Sequence, residues 1–164
     1  MLSKLFLTIE PREDWNRYFK KNTGLIIDLG CGYGADSYFL AKKGYKVIAV
    51  DEDNNLKFQH PNLTFIQQRL EILINNKFDG IIANFSLHFL VPEIRLKLIK
   101  HYLENLKPGG IFYILIFKKF VTPTFLKIFP KQPTIEYYTK KDNHPPEGKH
   151  IHEIAKVIYY KHAT

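Results

Sequence analysis

The segment that most constrains the fold is a glycine-rich turn, Asp28-Leu29-Gly30-Cys31-Gly32-Tyr33-Gly34. The apolar run before it, 25–29, predicts a buried strand, and the amphipathic stretch after it, 35–43, predicts a helix ending at Gly44. The next apolar run, 46–51, predicts a second strand. A strand, a helix and a strand in this order form a βαβ unit, which requires a parallel sheet covered by helices.

The rest of the chain continues this alternation. We expect a short helix before the first strand, a longer amphipathic helix ended by Pro108-Gly109-Gly110, and at most a turn or two of helix between the second and third strands. The remaining predicted elements are helices at 11–20 and 92–106, strands at 63–67, 78–84, 111–117, 134–139 and 152–160, and a loop over 140–149. These elements predict an α/β fold, a Rossmann-like three-layer sandwich whose seven-stranded, mostly parallel sheet has an antiparallel last strand.

Length and composition restrict the class of protein. The 164 residues fit one domain, and 45% hydrophobic with 24% charged residues excludes disorder along most of the chain. The longest stretch without Asp, Glu, Lys or Arg, 80–92, is too short to span a bilayer, and the apolar run 5–9 lacks the features of a signal peptide. The single cysteine excludes internal disulfides. We therefore expect a cytoplasmic protein without membrane contact, monomeric or homodimeric.

Charge is uneven along the chain. Residues 1–96 contain 12 Lys and Arg against 11 Asp and Glu, whereas residues 97–164 contain 12 against 5, so most of the net charge of +8 lies in the second half. A basic half attracts anions, including nucleic acid, but lysines also simply keep a surface soluble. Both interpretations stay open.

Two ligand classes suit a glycine-rich turn followed by an acid at the end of the next strand. In a dinucleotide such as NAD and in S-adenosylmethionine, the carboxylate of Asp51 can accept hydrogen bonds from ribose hydroxyls. Asp28 favours the second class, because its carboxylate would repel a pyrophosphate but attract an ammonium or sulfonium group.

Four motifs in order now resemble one family. They are DLGCGYG at 28–34, VIAVDED at 47–53, FDGIIANFSLHFL at 78–90 and LKPGGIFYILIF at 106–117. The chain resembles the class I S-adenosylmethionine-dependent methyltransferases over residues 15–160, and within them the small tellurite-resistance-type enzymes. The resemblance implies one methyltransferase domain, 1–164, with an N-terminal helix segment at 1–22, a cofactor-binding half at 23–117 and a reduced substrate-side half at 118–164.

The resemblance also implies site residues for S-adenosyl-L-methionine. Glycines and Cys31 would line the methionine part, the acids after the second strand would bind ribose and adenine, and Asn84 with Phe85 would face the methyl group. Arg69 stands where many relatives carry an acid for adenine, so backbone at Arg69 and Leu70 is the expected contact. The full set of predicted cofactor residues is Asp28, Gly30, Cys31, Gly32, Gly34, Asp51, Glu52, Arg69, Leu70, Asn84 and Phe85.

The N-terminal helix, with Trp15, Arg17 and Tyr18, has two interpretations. In relatives it can close over the cofactor with an arginine on its carboxylate. It can equally be a surface helix that docks one aromatic side chain on the sheet.

Histidines are the candidate catalytic residues. His88 follows the fourth strand, and His150 and His152 start the last strand at the same sheet edge, so we predict that they border the acceptor and that one of them acts as a general base. Alternate strand residues share a face, so His150 and His152 also fit a metal, but capping and packing are the commoner roles. We assign no metal on the sequence. Cys31 is interpreted as packing within the turn rather than as a nucleophile.

Three functions stay open. The first is methylation of a small-molecule or oxyanion acceptor. The second is methylation of RNA or protein, with the basic half as docking surface, although NFSL at 84–87 lacks the motif typical of base methylation. The third is a non-catalytic partner subunit that binds the cofactor.

Overall fold

The computed structural model describes residues 7–162, which alternate strands and helices as the sequence predicts. Residues 1–6 and 163–164, which belong to the predicted 1–22 and 118–164 segments and include part of the apolar run 5–9, lie outside the described residues. The strands are β1 (Leu25–Leu29), β2 (Lys46–Asp51), β3 (Leu63–Gln67), β4 (Phe78–Asn84), β5 (Leu106–Phe117), β6 (Thr134–His144) and β7 (Gly148–Tyr160). The helices are α1 (Trp15–Tyr18), α2 (Ala35–Lys42), α3 (Pro92–Asn105) and α4 (Pro123–Lys127).

The strands form one sheet in the order β3-β2-β1-β4-β5-β7-β6. The pairs from β3 to β5 are parallel, whereas β7 is antiparallel to both β5 and β6. This confirms the predicted mostly parallel sheet with an antiparallel last strand. Because the parallel strands end at one edge, the turns after β1, β2, β3 and β4 meet there.

The sheet is buried on both faces, which explains the almost unbroken apolar runs of β1, β4 and β5. On one face α3 and α4 pack through buried side chains such as Ile99, Tyr102 and Phe125. On the other face α1 and α2 pack through Trp15 and Leu40. Among the described residues, no helix combines the length and apolar character needed to cross a bilayer.

Three predicted boundaries were wrong. The helix predicted at 11–20 is only the four residues of α1, because the backbone N–H of Arg12 donates to Asp36 rather than to a helix. Strand β5 starts at Leu106 rather than at residue 111, and the Pro108-Gly109-Gly110 segment lies inside it, where the register against β4 shifts.

The third wrong boundary is the loop predicted at 140–149. Strand β6 continues to His144 and β7 begins at Gly148, so these residues form a β-hairpin with a turn at 145–147. The two prolines, Pro145 and Pro146, are confined to the turn and therefore remove no hydrogen bond from the strands. The short helix allowed between the second and third strands is absent, as residues 52–62 contain no helix.

Candidate active site

A cleft of about 350 Å³ opens at the edge where the parallel strands end. Its walls come from the turns after β1, β2, β3 and β4, as expected for a doubly wound sheet. The lining includes Gly30, Gly32, Asp51, Glu52, Asp53, Asn55, Arg69, Leu70, Glu71, Asn84, Phe85, Ser86, Phe89 and Leu90.

The glycine-rich turn forms the floor of the cleft. Gly30 and Gly32 have φ angles of 77° and 54°, in the left-handed region that glycine adopts without strain. The N–H groups of Gly30 and Cys31 both donate to the Val50 carbonyl, which fixes the turn against β2. A Cβ atom on Gly30 would collide with the side chain of Ser86. The turn is therefore packed closely from behind and presents backbone to the cleft.

Asp51 ends β2 and holds the turn in place. One carboxylate oxygen accepts a hydrogen bond from the Gly32 N–H at 2.8 Å, and the other accepts from the Asp53 N–H at 3.1 Å. Each carboxylate oxygen can accept a second hydrogen bond. Asp51 can therefore still accept ligand hydroxyls from the cleft that it lines.

The wall after β3 differs from the prediction in one residue. Arg69 and Leu70 line the cleft as expected, and Glu71 lines it as well. The Arg69 guanidinium lies 2.6 Å from the Glu71 carboxylate. An acid is thus present two positions beyond Arg69, and the sequence motifs gave no signal for an acid at that position.

The wall after β4 contains a buried amide and a strained residue. Asn84 is 6% exposed, its Nδ2 donates to Asp36 at 3.1 Å, and its Oδ1 has no hydrogen-bond partner among the described residues. Phe85 has φ 54°, an uncommon conformation for a non-glycine residue, which turns the chain sharply across the cleft. A buried oxygen without a donor at a cleft wall favours a ligand that supplies one.

The segment behind this wall is fixed by Arg95, which is only 7% exposed. Its Nε donates to the Leu87 carbonyl at 2.9 Å and one Nη donates to the Leu90 carbonyl at 2.7 Å. The guanidinium also lies 4.5 Å from the centroid of the Phe120 ring. Arg95 thereby holds residues 86–90 against the cleft.

Asp28 does not line this cleft but lies in a small adjoining cavity with Gly30 and Cys31. It accepts a hydrogen bond from the Ser37 hydroxyl at 2.6 Å. Burial, together with the neighbouring carboxylate of Asp36, raises the pKa of Asp28 to about 7. The carboxyl is therefore partly protonated at neutral pH, which weakens the argument that its charge alone repels a pyrophosphate.

The other two predicted residues of the turn do not line the main cleft. Gly34 precedes α2 with φ 79°, and a Cβ atom there would collide with Leu56. Cys31 lines the small cavity. Burial, with Asp28 and Asp51 nearby, raises the pKa of the Cys31 thiol, so the thiol stays protonated, in keeping with a packing role.

Sequence reasoning missed a polar cluster centred on Asp36, in the first turn of α2. Its carboxylate accepts from the Arg12 backbone N–H, the Trp15 indole N–H and the Asn84 amide, and pairs with the Arg12 guanidinium. An acid in the first turn of a helix interacts favourably with the helix dipole, so in the sequence Asp36 looks like an ordinary residue of a helix start. The cluster ties the N-terminal segment to β4.

The N-terminal segment therefore shows features of both interpretations. Trp15 is fully buried against the sheet, as a docked aromatic would be. Arg17 points outward with 65% of its side chain exposed, and pairs with Glu136. Arg12, rather than Arg17, lies beside the glycine-rich turn in the small cavity.

A second chamber, of about 460 Å³, lies under the N-terminal segment. It shares the lining residue Phe85 with the cleft, and the small cavity shares Asn84 with the cleft and Arg12 with the chamber. The chamber is lined by Thr8, Glu10, Pro11, Arg12, Glu13, Asp14, Phe85, Tyr113, Leu115, Tyr138 and Lys140.

Asp14 closes one side of this chamber. It accepts from the Tyr113 hydroxyl at 2.5 Å and pairs with Lys156 at 2.7 Å. Burial alone would raise the pKa of Asp14, but the hydrogen bonds from Lys156 and Tyr113 lower it below its usual value. Burial and the hydrogen bond to Asp14 raise the pKa of Tyr113.

None of the predicted histidines lines the cleft or the chamber. The His88 ring packs 4.2 Å from Phe89 and 4.8 Å from Phe117, measured between centroids. Burial, with Arg95 nearby, lowers the pKa of His88 to about 4, so the imidazole is neutral and a weak base. The His152 ring stacks on the Phe117 ring with 4.9 Å between centroids, and His150 lies next to His152 on the hairpin. Their catalytic role stays a prediction.

Comparison with known proteins agrees with this geometry. A family model described as a methyltransferase domain matches residues 26–110. A carboxy-S-adenosyl-L-methionine synthase of Psychromonas ingrahamii is 32% identical over 58% of this chain and 45% of the relative. The chain spans about half the length of the curated relatives it matches.

Solved structures share the fold. TehB from Haemophilus influenzae superposes with a TM-score of 0.65 at 20% identity, covering 85% of this chain and 58% of TehB. The 1,6-didemethyltoxoflavin-N1-methyltransferase of Burkholderia thailandensis, solved with S-adenosylhomocysteine, gives 0.59 at 18% identity, covering 85% and 72%.

Proposed function

We propose that this chain, which belongs to the class I S-adenosylmethionine-dependent methyltransferase family, methylates a small molecule. The observation that carries the proposal is that the cleft and the chamber share the lining residue Phe85, while the small cavity shares Asn84 with the cleft and Arg12 with the chamber. Adjacent cavities of this kind would place a methyl donor in the cleft beside an acceptor in the chamber.

The residues of the cleft suit S-adenosylmethionine. Asp51 supplies acceptors for ribose hydroxyls, and the glycine-rich turn lets the methionine part approach the backbone closely. The unpaired Oδ1 of Asn84 and the carboxyl of Asp28 suit the α-ammonium group. When bound, the cofactor supplies an electrophilic methyl group on a sulfonium.

In this proposal Glu71 binds the adenine of the cofactor. Its carboxylate lines the cleft and is held by Arg69. A carboxylate is the acceptor that the amino group of adenine needs, and many relatives use an acid after the third strand. Glu71 thus makes the contact to adenine that the sequence predicts for the backbone at Arg69 and Leu70.

The chamber suits a small acceptor. Its volume falls within the range of small-molecule sites, about 300–1,000 Å³. Its charged lining is mixed, because Arg12 and Lys140 lie there together with Glu10, Glu13 and Asp14. Arg12 is paired with Asp36, and Asp14 is paired with Lys156. Phe85, Tyr113 and Tyr138 provide an aromatic wall. The chain's own contribution to catalysis is then orientation and exclusion of water, which can contribute several kcal/mol.

Three of the twelve lysines in the basic half are paired with acids, which weakens the case for nucleic acid as the acceptor. Lys118 pairs with Glu153, Lys156 pairs with Asp14, and Lys107 pairs with Asp79. These ion pairs neutralise part of the positive charge that would attract the phosphates of a nucleic acid.

Calorimetry with S-adenosylhomocysteine tests the cofactor site. Asp51→Asn keeps an acceptor for the Gly32 N–H but loses the charge, and we expect affinity to fall by about 1.5–3 kcal/mol, roughly 10- to 150-fold. Glu93→Gln, on the exposed start of α3, serves as control and should bind normally. Unchanged affinity of Asp51→Asn, or tight NAD binding without S-adenosylhomocysteine binding, would overturn the assignment.

Turnover separates an enzyme from a non-catalytic partner subunit. We expect release of S-adenosylhomocysteine from S-adenosylmethionine with at least one member of a panel of small thiols, phenols and carboxylates. Lys140→Met should reduce that turnover while leaving cofactor affinity within about threefold, near 0.7 kcal/mol. Cofactor binding without turnover on the whole panel would favour the partner subunit.

A further inference from the structure

The turn end of the hairpin formed by β6 and β7 carries a cluster of four side chains that the proposed function does not use. Asp142, His144, His150 and His152 each offer one ligand atom, and these atoms all lie within 4.8 Å of one another. Three imidazoles and a carboxylate form the donor set of many zinc sites.

Strand pairing explains why the four side chains meet. Asp142 lies directly opposite His150, and His144 lies opposite Gly148 at the turn. His152 is two residues from His150, so it projects from the same face of β7. The hairpin therefore places all four ligands on one face, within the three cross-strand pairs of that face nearest the turn.

The separations match those of a tetrahedral site. Ligands about 2.0–2.1 Å from a zinc ion lie about 3.3 Å apart at the corners of a tetrahedron. Here the Nε2 atoms of His150 and His152 are 2.8 Å apart, and the Asp142 carboxylate oxygen is 3.5 Å from His152 Nε2 and 3.8 Å from His144 Nε2. These distances bracket the tetrahedral value, so a cation needs only small side-chain rotations to bind.

Neighbouring groups orient two of the imidazoles for this role. His150 Nδ1 lies 2.8 Å from the Gly148 carbonyl, and a carbonyl can only accept, so Nδ1 carries the proton. His144 Nδ1 lies 3.2 Å from the Pro145 carbonyl and 3.1 Å from the Glu147 carboxylate, which fixes its proton in the same way. In both neutral rings the lone pair is then on Nε2, which faces the cluster. Outer contacts of this kind are typical of metal-binding histidines.

We propose that Asp142, His144, His150 and His152 bind one divalent transition-metal ion of the zinc type. Imidazoles favour zinc, copper and nickel, whereas calcium and magnesium require more oxygen ligands. Lys140 shares this face of the hairpin, opposite His152, and lowers the attraction for cations that bind by charge alone.

The site is structural rather than catalytic. Four protein ligands complete a tetrahedron, so no position remains for a reacting water. The side chains of Asp142, His144 and His152 are 9%, 19% and 20% exposed, which shields the ion from solvent. The ring of Phe117 lies between His152 and His88, which separates the cluster from the cleft. The ion would fix the hairpin, and His150 and His152 would be ligands rather than general bases.

Metal titration of the untagged, chelator-treated chain tests the proposal. We expect one Co²⁺ per chain, with the intense visible absorption of four-coordinate cobalt, and its displacement by Zn²⁺. Zn²⁺ should also raise the melting temperature, because an ion that binds the folded chain stabilises it. More than one equivalent, or the weak absorption of six-coordinate cobalt, would overturn the proposal.

Matched variants locate the ion. His144→Gln and Asp142→Asn should each lower Zn²⁺ affinity at least tenfold, whereas His60→Gln, outside the hairpin, should bind Zn²⁺ like the wild type. Equal affinity in all variants contradicts the site. Far-UV circular dichroism and S-adenosylhomocysteine calorimetry on the same variants show that the fold is intact, and cofactor binding should be unchanged. Loss of cofactor binding in a variant that still folds would contradict the separation of the two sites.

Discussion

At Asp28, folding and cofactor binding have opposite requirements. The carboxyl is fully buried and its pKa is raised to about 7 by burial and by Asp36. The unfolded chain ionises it near pH 4, so its stabilising contribution is complete below pH 4 and is lost as pH rises through 7. A charged carboxylate is nevertheless what an ammonium or sulfonium group needs.

Asp28→Asn should therefore raise stability and lower function. The amide still accepts the hydrogen bond from Ser37 but never ionises. We expect the free energy of unfolding at pH 8 to exceed that of the wild type by on the order of 1–3 kcal/mol, with little difference at pH 4. Denaturant titrations at both pH values measure this, and Glu104→Gln on the exposed side of α3 is the control. A variant that is less stable at pH 8 would contradict the pKa assignment.

Asp36 is the second residue whose removal has a clear expected result. Asp36→Ala leaves the Arg12, Trp15 and Asn84 donors without their acceptor, which costs roughly 3 kcal/mol in a buried cluster. Trp15 is the single tryptophan of the chain, so its fluorescence reports the docking of the N-terminal segment alone. We expect emission to shift to longer wavelength in Asp36→Ala and to stay unchanged in Glu104→Gln. Unshifted emission would mean that apolar packing holds the segment without Asp36.

At the scale of elements, Arg95 shows how a helix can tune the cleft without touching a ligand. Arg95→Leu leaves the Leu87 and Leu90 carbonyls without their donor and loosens residues 86–90. We expect three- to tenfold weaker S-adenosylhomocysteine binding by calorimetry, with partial recovery in Arg95→Lys. Normal affinity in Arg95→Leu would show that the segment is held by Leu87 and its apolar neighbours.

Elements were predicted well wherever local sequence decides them. Strands β1 to β4 and helix α3 follow from apolar periodicity, proline and glycine, and the glycine-rich turn and Asp51 follow from the close approach that a cofactor requires. The Asp36 cluster joins residues far apart in sequence, so no local pattern reveals it. The contacts of Glu71 with Arg69 and of Arg95 with the Leu87 and Leu90 carbonyls are local, but they depend on loop conformations that the sequence pattern does not specify. The extended hairpin was missed because its polar, charged residues resemble a loop when its pairing is unknown.

At the scale of the whole molecule, the net charge of +8 predicts weak, salt-sensitive binding of nucleic acid. We expect weak binding of a fluorescent single-stranded RNA at low salt that disappears near 150 mM salt, because binding without specific contacts depends on counterion release. Fluorescence anisotropy at several salt concentrations measures this. Binding that persists at high salt would favour an RNA acceptor over a small molecule.

The position of β7 has a consequence for synthesis of the chain. It is the last described strand in sequence, yet it lies between β5 and β6, and β6 pairs with no other strand of the described sheet. While the ribosome is still making β7, the hydrophobic strand β5 has an open edge and β6 has no partner at all. An unpaired hydrophobic edge is a template for aggregation. The nascent chain therefore passes through a stage in which the hydrophobic edge of β5 is exposed, and this stage ends only when β7 is complete.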